Sequence, residues 1–552
     1  MRCRPSARSA TWGSPPSSSP SSRRSRRPWP SSHRGISGGC SGRGSLISTT
    51  TCRESSIVPK ILIVGGGYAG FYTAWKLESH LRSGEAEVTM VDPLPYMTYQ
   101  PFLPEVVSGS IEPRHAVVSQ RRHLRTTNVV TAKVTGIDHA SKTATITPPV
   151  GEPYEFAYDI VVVTAGSVSR TFPIPGVADE AIGLKTIEEA VAIRDRIFAN
   201  FDRAATLPAG PERERLLTFV VVGGGFAGIE VFAEMRSIAT DLVKKYPEID
   251  FEDTHFHLIE AMGRIMPEVS LETSHWVLKN LAERGALVHL DTQLKSAVGG
   301  VVELSTGESF ESDVIVWTAG VMASPMLKNT DLPIEERGRL RVRADGRVEG
   351  DDGIVADAWG AGDVAATPDL TGGGVGGFCV PNAQHAVRQG KLMAKNLTAS
   401  LRGEGITDYF HKNLGAVAGL GLYQGAFQSG KLGITGFPAW VMHRGYHGLA
   451  IPSFERKARV VTGWVNNLVW GRDIVSLEAR ETPRTAFETF ASRPRPAADA
   501  APAAPVKKEE APAKKAADDK ADAPTEGEKS PALAGSYSSS PGAENADEKP
   551  SA

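Results

Sequence analysis

A ten-residue run occurs twice in this chain. Ile61-Leu62-Ile63-Val64-Gly65-Gly66-Gly67-Tyr68-Ala69-Gly70 returns 158 residues later as Phe219-Val220-Val221-Val222-Gly223-Gly224-Gly225-Phe226-Ala227-Gly228. That period is too long for a solenoid unit and suits a duplicated domain. Each copy is an apolar, largely β-branched run ending in G-x-G-x-x-G and then a helix-compatible stretch, which reaches about Leu81 in the first copy. Glycines at this spacing permit a tight turn and a close approach of the backbone to a pyrophosphate. The helix N-terminus adds unpaired N–H groups and positive dipole. A lone glycine motif is weak evidence, because glycine-rich turns are common. Here each copy also has an acid at the end of the following strand: Asp92 after 87–91, and Glu260 after His255–Ile259. A carboxylate there accepts hydrogen bonds from a ribose diol. Two dinucleotide sites are expected.

Further apolar runs at Ile160–Val163, 219–222 and Val314–Trp317 have the length and β-branching of strands buried on both faces. Such strands imply parallel sheets with helices packed against them, hence an α/β fold. Thr164-Ala165-Gly166 and Thr318-Ala319-Gly320 are matching strand ends, placed where the chain would cross between two domains. A third element, Trp359-Gly360-Ala361-Gly362-Asp363, follows another apolar segment. An acid at such a helix start either holds a ribityl hydroxyl or simply caps the helix.

Composition bounds the rest. Of 552 residues, 61 are basic and 63 acidic, but the balance is uneven. Residues 1–57 carry ten Arg, no Lys and one acid, whereas 58–492 carry 42 bases and 51 acids. An acidic core of that length has room for two or three domains and disfavours a nucleic-acid partner. The leader at 1–57 lacks an apolar h-region and reads as disordered sequence or an over-extended start; its Arg and Ser content also suits an organellar transit peptide. The tail at 493–552 is Ala, Pro, Lys and Glu, too poor in large apolar residues to fold. Three of the four cysteines lie in the leader, leaving Cys379 alone, which excludes a disulfide framework or a Cys-based zinc site and suits a reducing, cytosolic compartment. No metal motif is present. Nothing approaches 18 uninterrupted apolar residues, so no transmembrane helix is expected.

Two dinucleotides without a metal suggest a flavin exchanging a hydride with a nicotinamide. On these motifs, residues 59–483 resemble the two-dinucleotide-binding flavoproteins, and within them the type II, non-proton-pumping NADH:quinone dehydrogenases. The resemblance rests on both glycine motifs, Tyr99-Gln100-Pro101, Glu260 with Arg264-Ile265-Met266-Pro267, Ala361-Gly362-Asp363 and Asn382-Ala383-Gln384. It implies a FAD-binding domain at 58–172 and 330–404, interrupted by an NADH-binding domain at 173–329, then a membrane and quinone segment at 405–492. FAD would be held by Gly65, Gly66, Gly67, Tyr68, Ala69, Gly70, Asp92, Gln100, Pro101, Val134, Thr164, Ala165, Gly166, Gly362, Asp363 and Ala383. NADH would lie on Gly223, Gly225, Gly228, Glu260, Ala319 and Gly320. Glu260 favours NADH over NADPH because a carboxylate repels the 2′-phosphate, with Arg264 an offsetting charge.

By the same resemblance Glu230 is the active-site glutamate beside nicotinamide and flavin, against a plain role bracing a helix N-terminus. The resemblance also implies that Gln384 lines the quinone side, against the plain reading of a surface helix that carries a glutamine. The chain departs from the pattern twice: a second family Gln is replaced by Arg388, with Gln389 next, and a Lys-Gly pair by Leu414-Gly415, with Lys412 two residues earlier. Both departures concern the acceptor. Disulfide reductases and sulfide:quinone oxidoreductases need at least two cysteines near the flavin, so Cys379 reads as a packing residue.

Residues 437–472 combine six aromatics with an excess of bases. Arg444, Arg456, Lys457, Arg459 and Arg472 face one acid, Glu455, between 441 and 472. Aromatics with cations suit an amphipathic segment on an anionic membrane surface; a dimer interface, or a C-terminal helix packed on the FAD domain, has the same composition. The sequence therefore leads to a peripheral flavoenzyme on the cytoplasmic face of the cell membrane that oxidises NADH and reduces menaquinone or ubiquinone, with a homodimer open. A soluble NAD(P)H-dependent reductase with another acceptor and an NADH-sensing flavoprotein remain the alternatives.

Overall fold

The structure, a computed structural model, describes residues 58–412 and 415–476, with Arg484. The expectations for the leader at 1–57, the tail at 493–552 and the Leu414 position lie outside the described residues.

Along the chain, β1 (Lys60–Val64) leads into α1 (Tyr68–His80), followed by β2 (Glu87–Asp92), a short α2 (Leu103–Val107), β3 (Asn128–Thr131), β4 (Lys133–Asp138), β5 (Ile160–Val163) and β6 (Ser167–Ser169). A second set then runs β7 (Ala181–Gly183), α3 (Ile187–Ala204), β8 (Thr218–Val222), α4 (Phe226–Val243), β9 (His255–Ile259), β10 (Ala286–His289), β11 (Val314–Trp317) and β12 (Val321–Ala323). After it come β13 (Arg347–Gly350), β14 (Gly353–Gly360), α5 (Ala383–Leu401), the strands β15 (Ala416–Gly419), β16 (Gly425–Ser429) and β17 (Leu432–Thr435), and finally α6 (Phe437–Ala450) and α7 (Phe454–Trp470).

The first sheet has the order β13-β14-β5-β1-β2-β3, and the second β7-β11-β8-β9-β10. All neighbours are parallel except β13 with β14. Four residues of β1 and all of β5, β8 and β11 are buried, which is why their sequences are continuous apolar runs without alternation. The second sheet lies wholly within a chain excursion that leaves the first after β5 and returns at β14. The outgoing and returning segments, β6 and β12, pair antiparallel with Val168 opposite Met322. Each glycine-bearing strand, β1 or β8, is flanked on one side by the strand ending in Thr-Ala-Gly and on the other by the strand ending in the acid. The repeat is thus a repeat of three-strand neighbourhoods.

β15, β16 and β17 form an antiparallel sheet onto which α6 packs. A Cβ on Gly425 would stand 2.6 Å from the Trp440 backbone nitrogen, so helix and strand are in backbone contact. Helix α6 buries Ala439, His443, His447 and Gly448, residues spaced for one helical face. Its outer side exposes Phe437, Val441, Tyr446 and Leu449, and α7 continues this surface with Phe454, Val461, Val465, Leu468 and Trp470.

The charge reading of this segment needs correction. Arg444 is turned inward, stacked on Trp440 and Trp464 and paired with Glu105 at 3.2 Å. Arg472, with its side chain almost wholly buried, donates to Ser237 and approaches Asp241. Arg456 donates to the Arg114 carbonyl, and Arg459 pairs with Glu455 one turn earlier. Arg444, Arg456 and Arg472 fasten the last helices to the rest of the chain, Arg459 stays exposed on α7, and what the segment presents outward is predominantly apolar. Among the described residues no helix is long and apolar enough to cross a membrane.

Candidate active site

The two glycine turns are built alike, atom for atom. Gly65 N donates to Val91 O and Gly223 N to Ile259 O, both at 2.8 Å. Thr164 Oγ1 donates to Gly65 O at 2.8 Å, and Thr318 Oγ1 to Gly223 O at 3.2 Å. Gly65 (φ 98°) and Gly223 (φ 112°) occupy a backbone region that other residues avoid, with a threonine strand end directly against them. The acids close the turn: Asp92 accepts from Gly66 N and Leu94 N, and Glu260 from Gly224 N and Met262 N. Burial raises the Asp92 carboxyl above its ordinary value despite those two donors, so further donors from a diol would be welcome to the anion. Arg264 Nη2 donates to Val269 O at 2.7 Å, and its Nε has no hydrogen-bond partner among the described residues.

Whether dinucleotides fit these turns is tested by what a side chain would meet. A Cβ on Gly70 or Gly228 would fall 1.8 or 1.9 Å from the carbonyl of Gly65 or Gly223, so these glycines serve helix–strand packing. A Cβ on Gly67 or Gly225 would meet nothing within 4 Å. Open space therefore lies at the N-termini of α1 and α4, where the free N–H groups gather, and the donor set suits a pyrophosphate. Next to the first turn, the Tyr68 hydroxyl is buried without a well-formed hydrogen bond among the described residues.

At the same end of the first sheet β14 brings in the Gly-Asp motif: Ala361 N donates to Val163 O at 3.1 Å. Asp363 accepts from Ser167 Oγ at 2.7 Å and lies 3.8 Å from Lys185 Nζ, whose ammonium burial disfavours. Gly362 N donates to Gln389 Oε1 at 2.8 Å. A cleft of about 660 Å³ opens beside Asp363, lined also by Ser167, Met322, Arg337, Arg339 and Pro381. Gln100 Nε2 donates to Lys185 O, Pro101 sits in the turn before α2, and Val134 lies in β4 packed on the core. Ala165 packs on the same core, Gly166 O accepts from Ser324 N, and Gly320 O from Arg170 N.

Helix α5 starts at Ala383 behind an Asn382 cap, and Gln384 Nε2 points to Gly415 O at 3.5 Å. Arg388, at the position of the missing glutamine, folds back on the Gln384 carbonyl, and Gln389 is the one turned to the Gly-Asp motif. Cys379 is buried, and burial pushes its thiol up to about 11, which keeps it protonated at neutral pH. Among the described residues His257, His289 and Glu308 are the potential metal ligands within mutual reach. His257 Nδ1 and His289 Nε2 meet at 3.0 Å, a hydrogen bond that engages those two nitrogens with each other.

Glu230, one turn into α4, accepts from Gly419 N at 3.0 Å and faces His443 Nε2 at 3.2 Å. On the other side of that ring, Nδ1 lies 3.8 Å from Glu105 of α2. Beside it His447 Nδ1 meets the Tyr99 hydroxyl at 3.0 Å. Glu105, His443, His447 and Lys185 are absent from the residues singled out in the sequence, and Gln389 enters there only as the neighbour of Arg388. The signal for the histidines is their i, i+4 spacing on one helix face; Glu105 and Lys185 carry none.

The chain is similar to known proteins over most of its length. The family described as pyridine nucleotide-disulphide oxidoreductase matches residues 59–390. The chain is 28% identical to a probable NADH dehydrogenase of Dictyostelium discoideum, over 76% of its own length and 91% of that protein. It is 30% identical to a type II NADH:quinone oxidoreductase of Staphylococcus epidermidis, over 66% of its length and 88% of that protein. Among solved structures it resembles NDH2 from Plasmodium falciparum in complex with NADH, with a TM-score of 0.69 at 18% identity, covering 76% of this chain and 99% of that one.

Proposed function

Because the chain belongs to the pyridine nucleotide-disulphide oxidoreductases, and among them to the type II NADH:quinone oxidoreductases, we propose that it oxidises NADH and reduces a quinone. The observation that carries this reading is the duplicated turn, with an acid, a threonine and an open helix N-terminus in each copy. The family's disulfide chemistry is disfavoured here, since Cys379 has no second cysteine after residue 52 and is held as a neutral thiol.

FAD bound at the first turn supplies the redox chemistry, accepting a hydride and releasing two electrons. The chain's part is to bind, orient and move a proton. Asp92 takes the adenosine ribose of one dinucleotide and Glu260 that of the other. Asp363, with Ser167 and Lys185, holds the ribityl side. Glu230, at the junction of α4 with β15 and α6, orients the nicotinamide or passes a proton, and Gln384 lines the quinone approach. The inserted 173–329 region is the NADH domain, and the flanking segments 58–172 and 330–404 make the FAD domain.

The outward apolar side of α6 and α7 supports docking on the cytoplasmic face of a membrane, where a lipid-soluble quinone, menaquinone or ubiquinone, is reached. The support is apolar area, since the bases counted in the sequence are mostly engaged within the chain. Steady-state turnover on membranes containing the protein, with NADH, NADPH and two quinones, tests the reading. Expected is quinone reduction with NADH preferred. Turnover confined to the soluble fraction, with quinones ignored and another acceptor reduced, would establish the soluble-reductase alternative.

A further inference from the structure

Oxidation of NADH by a quinone consumes one proton: NADH + H⁺ + Q gives NAD⁺ + QH₂. The hydride carries both electrons and one hydrogen, and the second hydrogen of the quinol comes from solvent through the protein. Glu230 alone is a poor store for it, because a single half-buried carboxylate must be recharged in every cycle.

The structure places a second titratable group directly behind it. His443 is buried between two carboxylates brought by different parts of the chain, Glu230 of α4 at 3.2 Å from Nε2 and Glu105 of α2 at 3.8 Å from Nδ1. Glu105 does not need this ring to be neutralised. Its Oε2 already lies 3.2 Å from Arg444 and accepts from Trp464 Nε1 at 2.8 Å, while its Oε1, the atom facing His443, has no hydrogen-bond partner. Glu230 has no ion-pair partner other than His443 among the described residues. His443 Nε2 stands within hydrogen-bond distance of Glu230 Oε1, at 3.2 Å, but out of good alignment with it.

The groups facing the ring are Glu230, Glu105, Arg444, the edge of His447 at a centroid distance of 4.6 Å, and the Gly419 backbone of β15. Burial pulls the imidazolium down, but Glu230 and then Glu105 outweigh it against Arg444, and the net shift is upward. His447 goes the other way, driven down by burial and by the charge on His443, so it stays neutral, with its Nδ1 in a hydrogen bond with the Tyr99 hydroxyl. With His443 protonated, the two carboxylates and two cations cancel. With it neutral, a buried negative charge is left over.

We propose that His443 is the proton carrier of Glu230: its Nε2 hands a proton to the Glu230 carboxylate for the second hydrogen of the quinol, and Glu105 on its Nδ1 side holds the ring and its charge in place. The proposal rests on the quinone-reducing reading of the site. His443 acts through Glu230 and is a positioning and proton-holding residue. The logic is that of a base oriented by a buried carboxylate, with the imidazolium stabilised at the moment it forms.

The experiment uses the full chain with its flavin and two variants, His443→Gln and Glu105→Gln. Flavin absorbance is followed in the two half-reactions separately, bleaching by NADH and recolouring by a water-soluble quinone. In His443→Gln, recolouring slows by roughly 10²-fold or more, the scale of a lost proton-transfer group, and far more than bleaching does. In Glu105→Gln, the alkaline limb of the recolouring rate moves to lower pH. A readout independent of turnover is Tm against pH. The ion pair of a histidine with raised pKa is fully present below about pH 6.5 and lost as pH rises through its folded value. The Tm gap between wild type and His443→Gln is therefore widest below about pH 6.5 and closes as pH rises through the folded value, whereas a ring that carries no held charge gives a flat gap. Equal slowing of both half-reactions, or a flat gap with an unmoved pH limb, overturns the proposal. If the variant at 443 does not retain flavin, the pH limb of Glu105→Gln decides alone. Wild-type protein that quinone cannot recolour defeats the quinone reading, and the carrier with it, a result distinct from failure of the variants.

Discussion

The indole N–H of Trp464 donates to the buried carboxylate of Glu105 at 2.8 Å, across 359 positions of sequence. The bond ties the last helix, α7, to a short helix in the first sheet's domain, and Arg444 sits between Trp440 and Trp464 over the same carboxylate. Trp464→Phe keeps most of the ring contact and removes the donor. It is expected to cost about 1–3 kcal/mol, the cost of leaving a buried acceptor short of a donor. Chemical denaturation checks this, and an unchanged midpoint would show that the bond contributes nothing.

The glycine turns separate packing from ligand binding. Gly228→Ala would drive a methyl group into the Gly223 carbonyl and Gly70→Ala into that of Gly65, so both variants are expected to lose folded protein. Gly225→Ala puts its methyl group into open space at the start of α4. That variant folds with near-normal Tm and keeps its flavin, while the KM for NADH rises about tenfold or more as the pyrophosphate is displaced. Flavin content, Tm and KM measured together distinguish the two classes.

Glu260 accepts two backbone N–H groups at the second turn, and among the described residues it has no ion-pair partner. Glu260→Gln keeps an acceptor and removes the charge that repels a 2′-phosphate. The ratio of kcat/KM for NADH over NADPH is expected to fall roughly tenfold to a hundredfold, equivalent to about 1.4–3 kcal/mol. A ratio that does not move assigns cofactor choice elsewhere.

The apolar face of α6 and α7 is expected to carry the attachment to lipid. Leu449, Phe454 and Leu468 are 74%, 85% and 60% exposed, so replacing all three by Asp leaves the core untouched. The triple variant should fold normally and still reduce a water-soluble quinone. Its binding to vesicles should fall at least tenfold, since each such side chain contributes about 1.5–3 kcal/mol when fully buried in an apolar phase. Removing the whole segment after Gly436 is a poorer test, because α6 also supplies His443 and Arg444 to the interior. Vesicle flotation measures the effect; undiminished binding would instead favour a protein interface on this face.

Much of the fold is legible in the sequence because backbone geometry leaves few choices there. Gly65 and Gly223 stand where only glycine is at ease, and β5, β8 and β11 are so fully buried that their sequences cannot alternate. The acids Asp92 and Glu260 follow from the same strand ends. The cluster around His443 is not legible as a cluster, because α2 and α4 bring Glu105 and Glu230 to the α6 face carrying His443, Arg444 and His447, and no local spacing links the three helices. The count of bases at 441–472 misled for the same reason: Glu105 and Asp241, which engage Arg444 and Arg472, lie hundreds of positions earlier. Position 388 shows a smaller version of this, where Gln389, one residue on, is the side chain that meets Gly362.

Anaerobic titration of the purified protein tests the central claim most directly. A bound flavin spectrum that is bleached by one equivalent of NADH, and restored by one equivalent of a quinone analogue, is the expected result. A flavin that neither NADH nor NADPH bleaches, or one that NADH bleaches and quinone leaves colourless, would contradict it.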